Sequence, residues 1–158
     1  RPQQLVNRLS PSPGGAGSLS PAAGTMAEAL AADPELESLD LDEAGLDVDA
    51  VKRLAAVLAR HKALAELNLG RNLLKDKGVW AVAAALERNS SLAVLGLRGC
   101  GVREAGSRRL AEALDRNGAL RELSLGHNNR MGDPGADAFA GALERGSQLQ
   151  RLDLSATC

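Results

Sequence analysis

Leucines recur at a regular interval along most of the chain. Between Leu64 and Asn72, leucines stand at the first, fourth and sixth positions and an asparagine stands at the ninth. The three leucines recur in five copies, separated by 28, 28, 28 and 29 residues. Their first leucines are Leu36, Leu64, Leu92, Leu120 and Leu149. A constant interval in the twenties indicates a chain built from internal repeats.

Each repeat predicts a short strand followed by a helix. Residues 67–69 alternate apolar, polar and apolar side chains, as a strand with one buried face does. The apolar residues that follow have helical spacing and form one stripe: Val79, Val82, Ala83 and Leu86. A single repeat cannot enclose its own leucines. The stability of the predicted fold therefore comes from neighbouring repeats that stack.

The complete unit resembles the ribonuclease-inhibitor type of leucine-rich repeat. Its likeness runs from Leu64 to Leu74 and continues in the helical residues Asp76, Gly78, Val82, Ala83, Ala85 and Leu86. The resemblance implies an α/β fold, a leucine-rich repeat solenoid shaped as a right-handed α/β horseshoe. Parallel strands would line its concave face, and helices would cover its convex face. The unit is also similar to the repeat tails of NOD-like receptors and to Ran GTPase-activating proteins, which bind proteins.

The repeats divide the chain into two parts. Residues 1–21 are rich in serine, proline and glycine and are predicted to be disordered. Residues 22–158 form the predicted leucine-rich repeat domain. It comprises a half-repeat at 22–35, full repeats at 36–63, 64–91, 92–119 and 120–148, and a truncated repeat at 149–158. Because the chain starts without methionine and stops soon after a strand pattern, we expect a piece of a longer protein.

Polar residues inside the repeat predict how its elements begin and end. Asp76 and Asp133 are predicted helix N-caps. Asn72 is predicted to bond the backbone of its turn, and Cys100 to replace it with a small buried side chain. One position is predicted to end the helices in the left-handed conformation; it holds His61, Asn89, Asn117 and Gly146. One inserted residue is predicted to bulge the loop at 126–132.

Charged residues are distributed unevenly along the chain. From Ser10 to Val51 there are nine acidic residues and no basic one, whereas the segment from Lys52 to Cys158 has seventeen basic and eleven acidic residues. This asymmetry either steers a partner electrostatically or arises by chance.

Two cysteines form no disulfide framework, so we expect a cytoplasmic location, with a nuclear one left open. No apolar run approaches the roughly 20 residues needed to span a membrane.

The chain contains no catalytic or metal-binding set that the spacing supports. His61 and His127 occupy different positions of their repeats and cannot easily share a metal ion. The glycines at 96, 99 and 101 lack the lysine and serine of a phosphate loop. We therefore predict a protein that is not an enzyme and uses no cofactor, and we expect no nucleic acid, membrane or small molecule among its partners.

The candidate partner-binding residues follow from the strand alternation. The concave face should present Asp40, Asp42, Glu66, Asn68, Arg98, Glu122, Arg151 and Asp153. Trp80 is a further candidate on the helical side, because its repeat position is polar elsewhere: Lys52, Arg108 and Asp137. Its ring would either contact a partner or lie flat on a neighbouring helix.

The predicted function is a protein–protein interaction module, a non-catalytic scaffold or recognition surface whose protein partner is unknown. The resemblance leaves two alternatives: a regulator of a small GTPase of the Ran GTPase-activating type, and the sensor tail of a NOD-like receptor. A third reading is a structural stretch of a longer solenoid whose binding sites lie in other repeats.

Overall fold

The computed structural model describes residues 21–157, in which helices and strands alternate. The helices are α1 (Pro21–Ala32), α2 (Val48–Leu58), α3 (Lys75–Leu86), α4 (Glu104–Arg116) and α5 (Gly132–Glu144). The strands are β1 (Ser38–Asp40), β2 (Glu66–Asn68), β3 (Val94–Gly96), β4 (Glu122–Ser124) and β5 (Arg151–Asp153). They form one parallel sheet in the order β1 to β5. The predicted α/β leucine-rich repeat solenoid is therefore confirmed. The segment predicted to be disordered lies outside the described residues except for Pro21, the first residue of α1.

Strand pairing follows the leucine interval. The middle leucine of each strand pairs with the middle leucine of the next, in the series Leu39, Leu67, Leu95, Leu123 and Leu152. The first four of these side chains are buried. Burying a leucine contributes roughly 1.5–3 kcal/mol relative to exposure. A shift of one residue would turn these leucines to the polar face, so burial specifies the register.

Asparagines at the turn after the strands connect neighbouring repeats. The Asn72 amide donates to the carbonyls of Leu41 and Leu69, each at 2.8 Å, and its oxygen accepts from the Leu46 N–H at 2.9 Å. At the same repeat position the Cys100 Sγ lies 3.2 Å from the Leu69 carbonyl oxygen. Backbone groups that find no partner in the sheet are thus satisfied by side chains.

The predicted helix ends are wrong in place, and the predicted left-handed conformation is found at one of the four residues. The helices end before the predicted residues, at Leu58, Leu86, Arg116 and Glu144. Of the four predicted residues, Gly146 has a left-handed φ of 93°. Asn117 is extended, with φ −94° and ψ 120°. His61 and Asn89 are not among the described residues with positive φ.

Three of these residues instead form a second set of links between repeats: His61, Asn89 and Asn117. The Asn89 amide donates to the carbonyls of Leu58 at 2.7 Å and His61 at 3.1 Å, and its oxygen accepts from the Leu92 N–H at 2.7 Å. Asn117 repeats this arrangement one unit later. The side chains of His61, Asn89 and Asn117 are all buried. The asparagines are therefore required for their donors and acceptors and not for a left-handed turn.

His61 takes the same role with a ring. Its Nε2 lies 3.0 Å from the carbonyl oxygen of Asp33, and its Nδ1 accepts from the N–H of Leu64 at 3.0 Å. This arrangement assigns the ring proton to Nε2. The ring links the half-repeat of α1 to the first full repeat, as the asparagines link later ones.

The predicted N-caps are also wrong. Asp76 lies inside the first turn of α3, whose N-cap is Leu74, and its carboxylate bonds the backbone of the next helix. Asp133 lies inside the first turn of α5, whose N-cap is Met131. Sequence spacing placed both aspartates near a helix start but could not show that Asp76 contacts the start of the next helix.

The extra residue in the loop at 126–132 is accommodated in an exposed part of that loop. Asn128 and Met131 are both buried, at positions equivalent to Cys100 and Val102. Two exposed residues, 129 and 130, therefore connect positions that a single residue connects in the preceding repeat.

The last helix leaves part of the core uncovered. Leu143 is 43% exposed, whereas the equivalent Leu58, Leu86 and Leu114 are at most 3% exposed. Each of those three leucines belongs to a helix that packs against the next helix, whereas no helix follows α5 among the described residues. The leucines of β5 and its flanks are likewise only partly buried.

Candidate functional site

The concave surface of the sheet forms a groove of about 740 Å³. Eight of the nine predicted partner-binding residues line it: Asp40, Asp42, Glu66, Asn68, Arg98, Glu122, Arg151 and Asp153. Arg71 also lines the groove and was not among the predicted residues. The parallel register brings these side chains together, because repeat-equivalent residues are direct strand neighbours.

Short turns hold the polar side chains at the strand ends. Asp40 accepts from the N–H of Asp42 at 3.0 Å, and Asn68 accepts from the N–H of Gly70 at 3.0 Å. Asp153 accepts from the N–H of Ser155 at 2.9 Å. Aspartate and asparagine commonly bond the backbone two residues further on. These bonds restrict the rotamers of the three side chains before any partner binds.

An ion pair between repeats lies at one end of the groove. The Arg71 Nε donates to both oxygens of Asp42, at 3.2 and 3.1 Å, and its Nη2 makes a further bond to the same carboxylate. Hydrogen bonding from Arg71 lowers the pKa of Asp42, and the nearby charge of Arg98 acts in the same direction. Sequence reasoning missed Arg71 because it lies in the turn, outside the strand alternation. The sequence signal for this ion pair was that Arg71 and Asp42 have opposite charges and lie 29 residues apart, close to one repeat.

A second group of contacts lies at the other end. The Arg151 Nη1 is 3.1 Å from Glu122 Oε1, and the Ser124 hydroxyl is 3.3 Å from Asp153 Oδ2. Hydrogen bonds from the backbone and side chain of Ser155 lower the pKa of Asp153. Both ends of the groove therefore carry ionised carboxylates that the protein has already partly compensated.

Besides Asp153, which bonds Ser124 and Ser155, three charged side chains of the groove have no ion-pair partner among the described residues. Glu66 accepts one long bond, 3.4 Å, from the Ser38 hydroxyl, and Asp40 bonds the backbone only. The Arg98 Nη2 lies 2.9 Å from His127 Nε2, so its bonded neighbour is a ring nitrogen and not a carboxylate. These three groups can exchange water for a partner without breaking an internal ion pair.

Trp80 does not belong to the groove. It lies on α3 outside the buried stripe of that helix, and 50% of its surface is exposed. The structure thus separates this candidate from the other eight. It also contains a helix-side ion-pair cluster that sequence reasoning missed, in which Glu87 is 2.7 Å from Arg109 and 3.5 Å from Arg116. The bond from Arg109 lowers the pKa of Glu87.

Residues 21–157 contain neither a metal-binding arrangement nor a membrane-spanning helix. In this range, no group of three or more histidine, cysteine, aspartate or glutamate residues is arranged to hold a metal ion. None of the helices in it is long and apolar enough to cross a bilayer.

Comparisons with known proteins support the fold. The Leucine Rich repeat family model matches residues 119–140. No curated protein matches the chain. A solved structure named Leiomodin-1 Actin-Binding Site 2 is similar with a TM-score of 0.77 and 20% identity, covering 88% of this chain and 80% of its own. The tropomodulin C-terminal domain from Caenorhabditis elegans is similar with a TM-score of 0.72 and 14% identity, covering 82% of each chain. Such low identities establish the architecture alone, and the chain has the leucine-rich repeat fold.

Proposed function

We propose that this chain is a protein-interaction module that binds a partner protein through its concave groove without catalysing a reaction. The observation that carries the proposal is the group of Asp40, Glu66 and Arg98, which face the groove without ion-pair partners among the described residues. A charged group that loses water on binding needs a compensating charge or hydrogen bond. A partner of complementary charge would supply it.

The rigidity of the groove supports the same proposal. Its side chains come from paired strands, and buried asparagines bind each repeat to the next. A preorganised surface loses little conformational entropy on association, so more of the interaction energy appears as affinity. Large aromatic anchors are absent from the residues that line the groove. We therefore expect specificity to come from charge placement rather than from a deep apolar pocket.

Actin is the partner class that we propose to test first. The reason is the likeness to a structure whose title names an actin-binding site of leiomodin-1. Assignment to the ribonuclease-inhibitor type is also a proposal, supported by units of 28 and 29 residues that each contain a strand and a helix. A cytoplasmic location stays a prediction. Nothing observed in residues 21–157 favours a small-GTPase regulator or a receptor sensor tail over an interaction module.

The test is co-sedimentation with actin filaments, paired with a binding titration against monomeric actin. The variant Asp40→Asn/Glu66→Gln removes two charges, while the asparagine introduced by the first substitution can still accept the turn hydrogen bond. The control Asp137→Asn/Glu144→Gln makes the same charge change on α5, away from the groove. We expect the groove variant to weaken binding about tenfold and the control to bind like the wild type.

Two outcomes would contradict the proposal in different ways. If actin does not bind, actin is excluded, and cross-linking of the full-length protein in cell extract tests the groove with the same two variants. If every cross-linked partner is retained equally by the groove variant and the control, the groove is not the binding surface.

A further inference from the structure

Trp80 is an exposed tryptophan at a repeat position that is otherwise polar. It is the single tryptophan of the chain, and half of its surface is exposed. The equivalent position holds Lys52, Arg108 and Asp137 in other repeats. A large exposed aromatic side chain gains free energy when a partner covers it, and tryptophan and arginine are enriched among residues that dominate binding. The core does not use this ring, because the buried stripe of α3 lies elsewhere on the helix.

Repeat geometry places basic residues around the ring. Helix α3 packs between α2 and α4, so the equivalent residues Lys52 and Arg108 flank Trp80 on either side. Lys77 precedes Trp80 by three residues and lies on the same face of α3. Ala84 follows by four, is exposed, and lies on the same face of α3 as Trp80. We call these five residues the Trp80 patch.

The charge of the patch is positive. Lys52 lies 3.7 Å from Asp49 and Arg108 lies 2.6 Å from Glu104, and both contacts are between exposed side chains of one helix. Pairs of this kind contribute little and are easily replaced by a partner's carboxylate. Lys77 has no ion pair among the described residues. The patch therefore combines an apolar centre with a basic rim.

We infer that the Trp80 patch is a second protein-binding surface, which takes an acidic amphipathic helix of a partner. Apolar side chains of that helix would cover the indole and Ala84, and its carboxylates would face Lys52, Lys77 and Arg108. A lipid bilayer fits less well. Besides Trp80, the large exposed apolar residues in the described chain are Leu73 and Leu143, which lie outside the patch.

The test uses a synthetic helical peptide as probe. It contains leucine, alanine and glutamate, with leucines spaced three and four residues apart and no aromatic residue. A matched peptide replaces every glutamate with lysine, and vesicles of phosphatidylcholine and phosphatidylserine test the membrane alternative. Because Trp80 is the single tryptophan, its fluorescence reports directly on the patch. The glutamate peptide should shift the emission to the blue and protect the indole from iodide quenching, whereas the lysine peptide should do neither.

Two variants distinguish the contribution of the indole ring from the effect of a change in net charge. Trp80→Lys introduces the residue type found at Lys52 of the preceding repeat, so the fold should be retained, as circular dichroism would verify. It adds one positive charge, and Asp137→Asn makes the same net change at the equivalent position of α5. With a dye-labelled glutamate peptide, Trp80→Lys should weaken binding at least about tenfold and Asp137→Asn should leave it unchanged.

Several results would overturn the inference. Unchanged or tighter peptide binding by Trp80→Lys would mean that charge alone attracts the probe. A fluorescence shift with vesicles but not with the peptide would identify a membrane-binding surface instead, and the absence of both would leave Trp80 without a binding role. The groove variant Asp40→Asn/Glu66→Gln should bind the probe normally. Failure of the groove proposal and failure of the patch proposal are thus distinguishable.

Discussion

Asp76 of one repeat caps helix α4 of the next repeat, whose N-cap residue is Arg103. Its Oδ1 accepts from the N–H of Arg103 at 2.9 Å and from the N–H of Gly106 at 3.1 Å. Arg103 is the N-cap of α4 and its own side chain makes no capping bond. The first turn of α4 therefore depends on a carboxylate from another repeat, which couples the folding of the two units.

Removing this carboxylate should destabilise the protein. We expect Asp76→Ala to lower the free energy of unfolding by about 1 kcal/mol, the usual cost of losing a helix cap. Asp76→Asn keeps an acceptor oxygen and should cost less. Urea unfolding followed by circular dichroism measures both. The control is Asp133→Ala, because Asp133 is exposed and makes no side-chain hydrogen bond among the described residues. A loss at Asp133 as large as that at Asp76 would contradict the role of the inter-repeat cap.

His61 should be replaceable by asparagine but not by leucine. Leucine suits a buried site in volume, but it leaves the Asp33 carbonyl and the Leu64 N–H without partners. Unsatisfied buried groups cost roughly 1–3 kcal/mol each, so His61→Leu should be strongly destabilising. His61→Asn introduces the residue that serves this position at Asn89, and we expect it within about 1 kcal/mol of the wild type. Equal thermal stability of the two variants would show that the hydrogen bonds contribute nothing.

We expect the burial of Cys100 to make the free energy of unfolding decrease at alkaline pH. Desolvation raises the pKa of its thiol from 9.0 to about 12. Above pH 9 the unfolded chain can ionise this thiol while the folded protein cannot. The stabilising contribution is therefore complete below pH 9 and is lost as the pH rises toward 12. Chemical denaturation across this range should show a smaller alkaline loss for Cys100→Asn than for the wild type. A Cys158→Ser background removes the second thiol. Parallel curves for the two proteins would contradict the prediction.

Equivalent leucines should differ in their contribution according to whether a following repeat covers them. Leu114 is 3% exposed and Leu143 is 43% exposed. We expect Leu114→Ala to cost roughly 2–5 kcal/mol, as for other core leucines, and Leu143→Ala less than about 1.5 kcal/mol. Equilibrium urea unfolding compares them directly. Similar costs at the two positions would mean that stacking on the next repeat does not determine leucine burial.

Much of this architecture could be predicted from leucine spacing alone. The interval of 28 and 29 residues places Leu67 beside Leu39 and Leu95, because the strands can bury their leucines together in that register only. The same alternation placed eight of the proposed partner-binding residues on the groove. Hydrophobic patterning predicts the fold here because every strand has the same alternation of leucines and residues that face the groove.

Tertiary structure alone decided where the polar side chains bond. Asn89 and Asp76 each lie near a helix end, and local rules assigned them to their own helix, but both reach a neighbouring repeat. A polar atom accepts any suitable donor within hydrogen-bond distance, whether that donor is near or far along the chain. The spacing of residues along the sequence does not show which donors and acceptors come within hydrogen-bond distance in the folded protein. Only the packing of one repeat against the next brings Asp76 within reach of α4 and Arg71 within reach of Asp42.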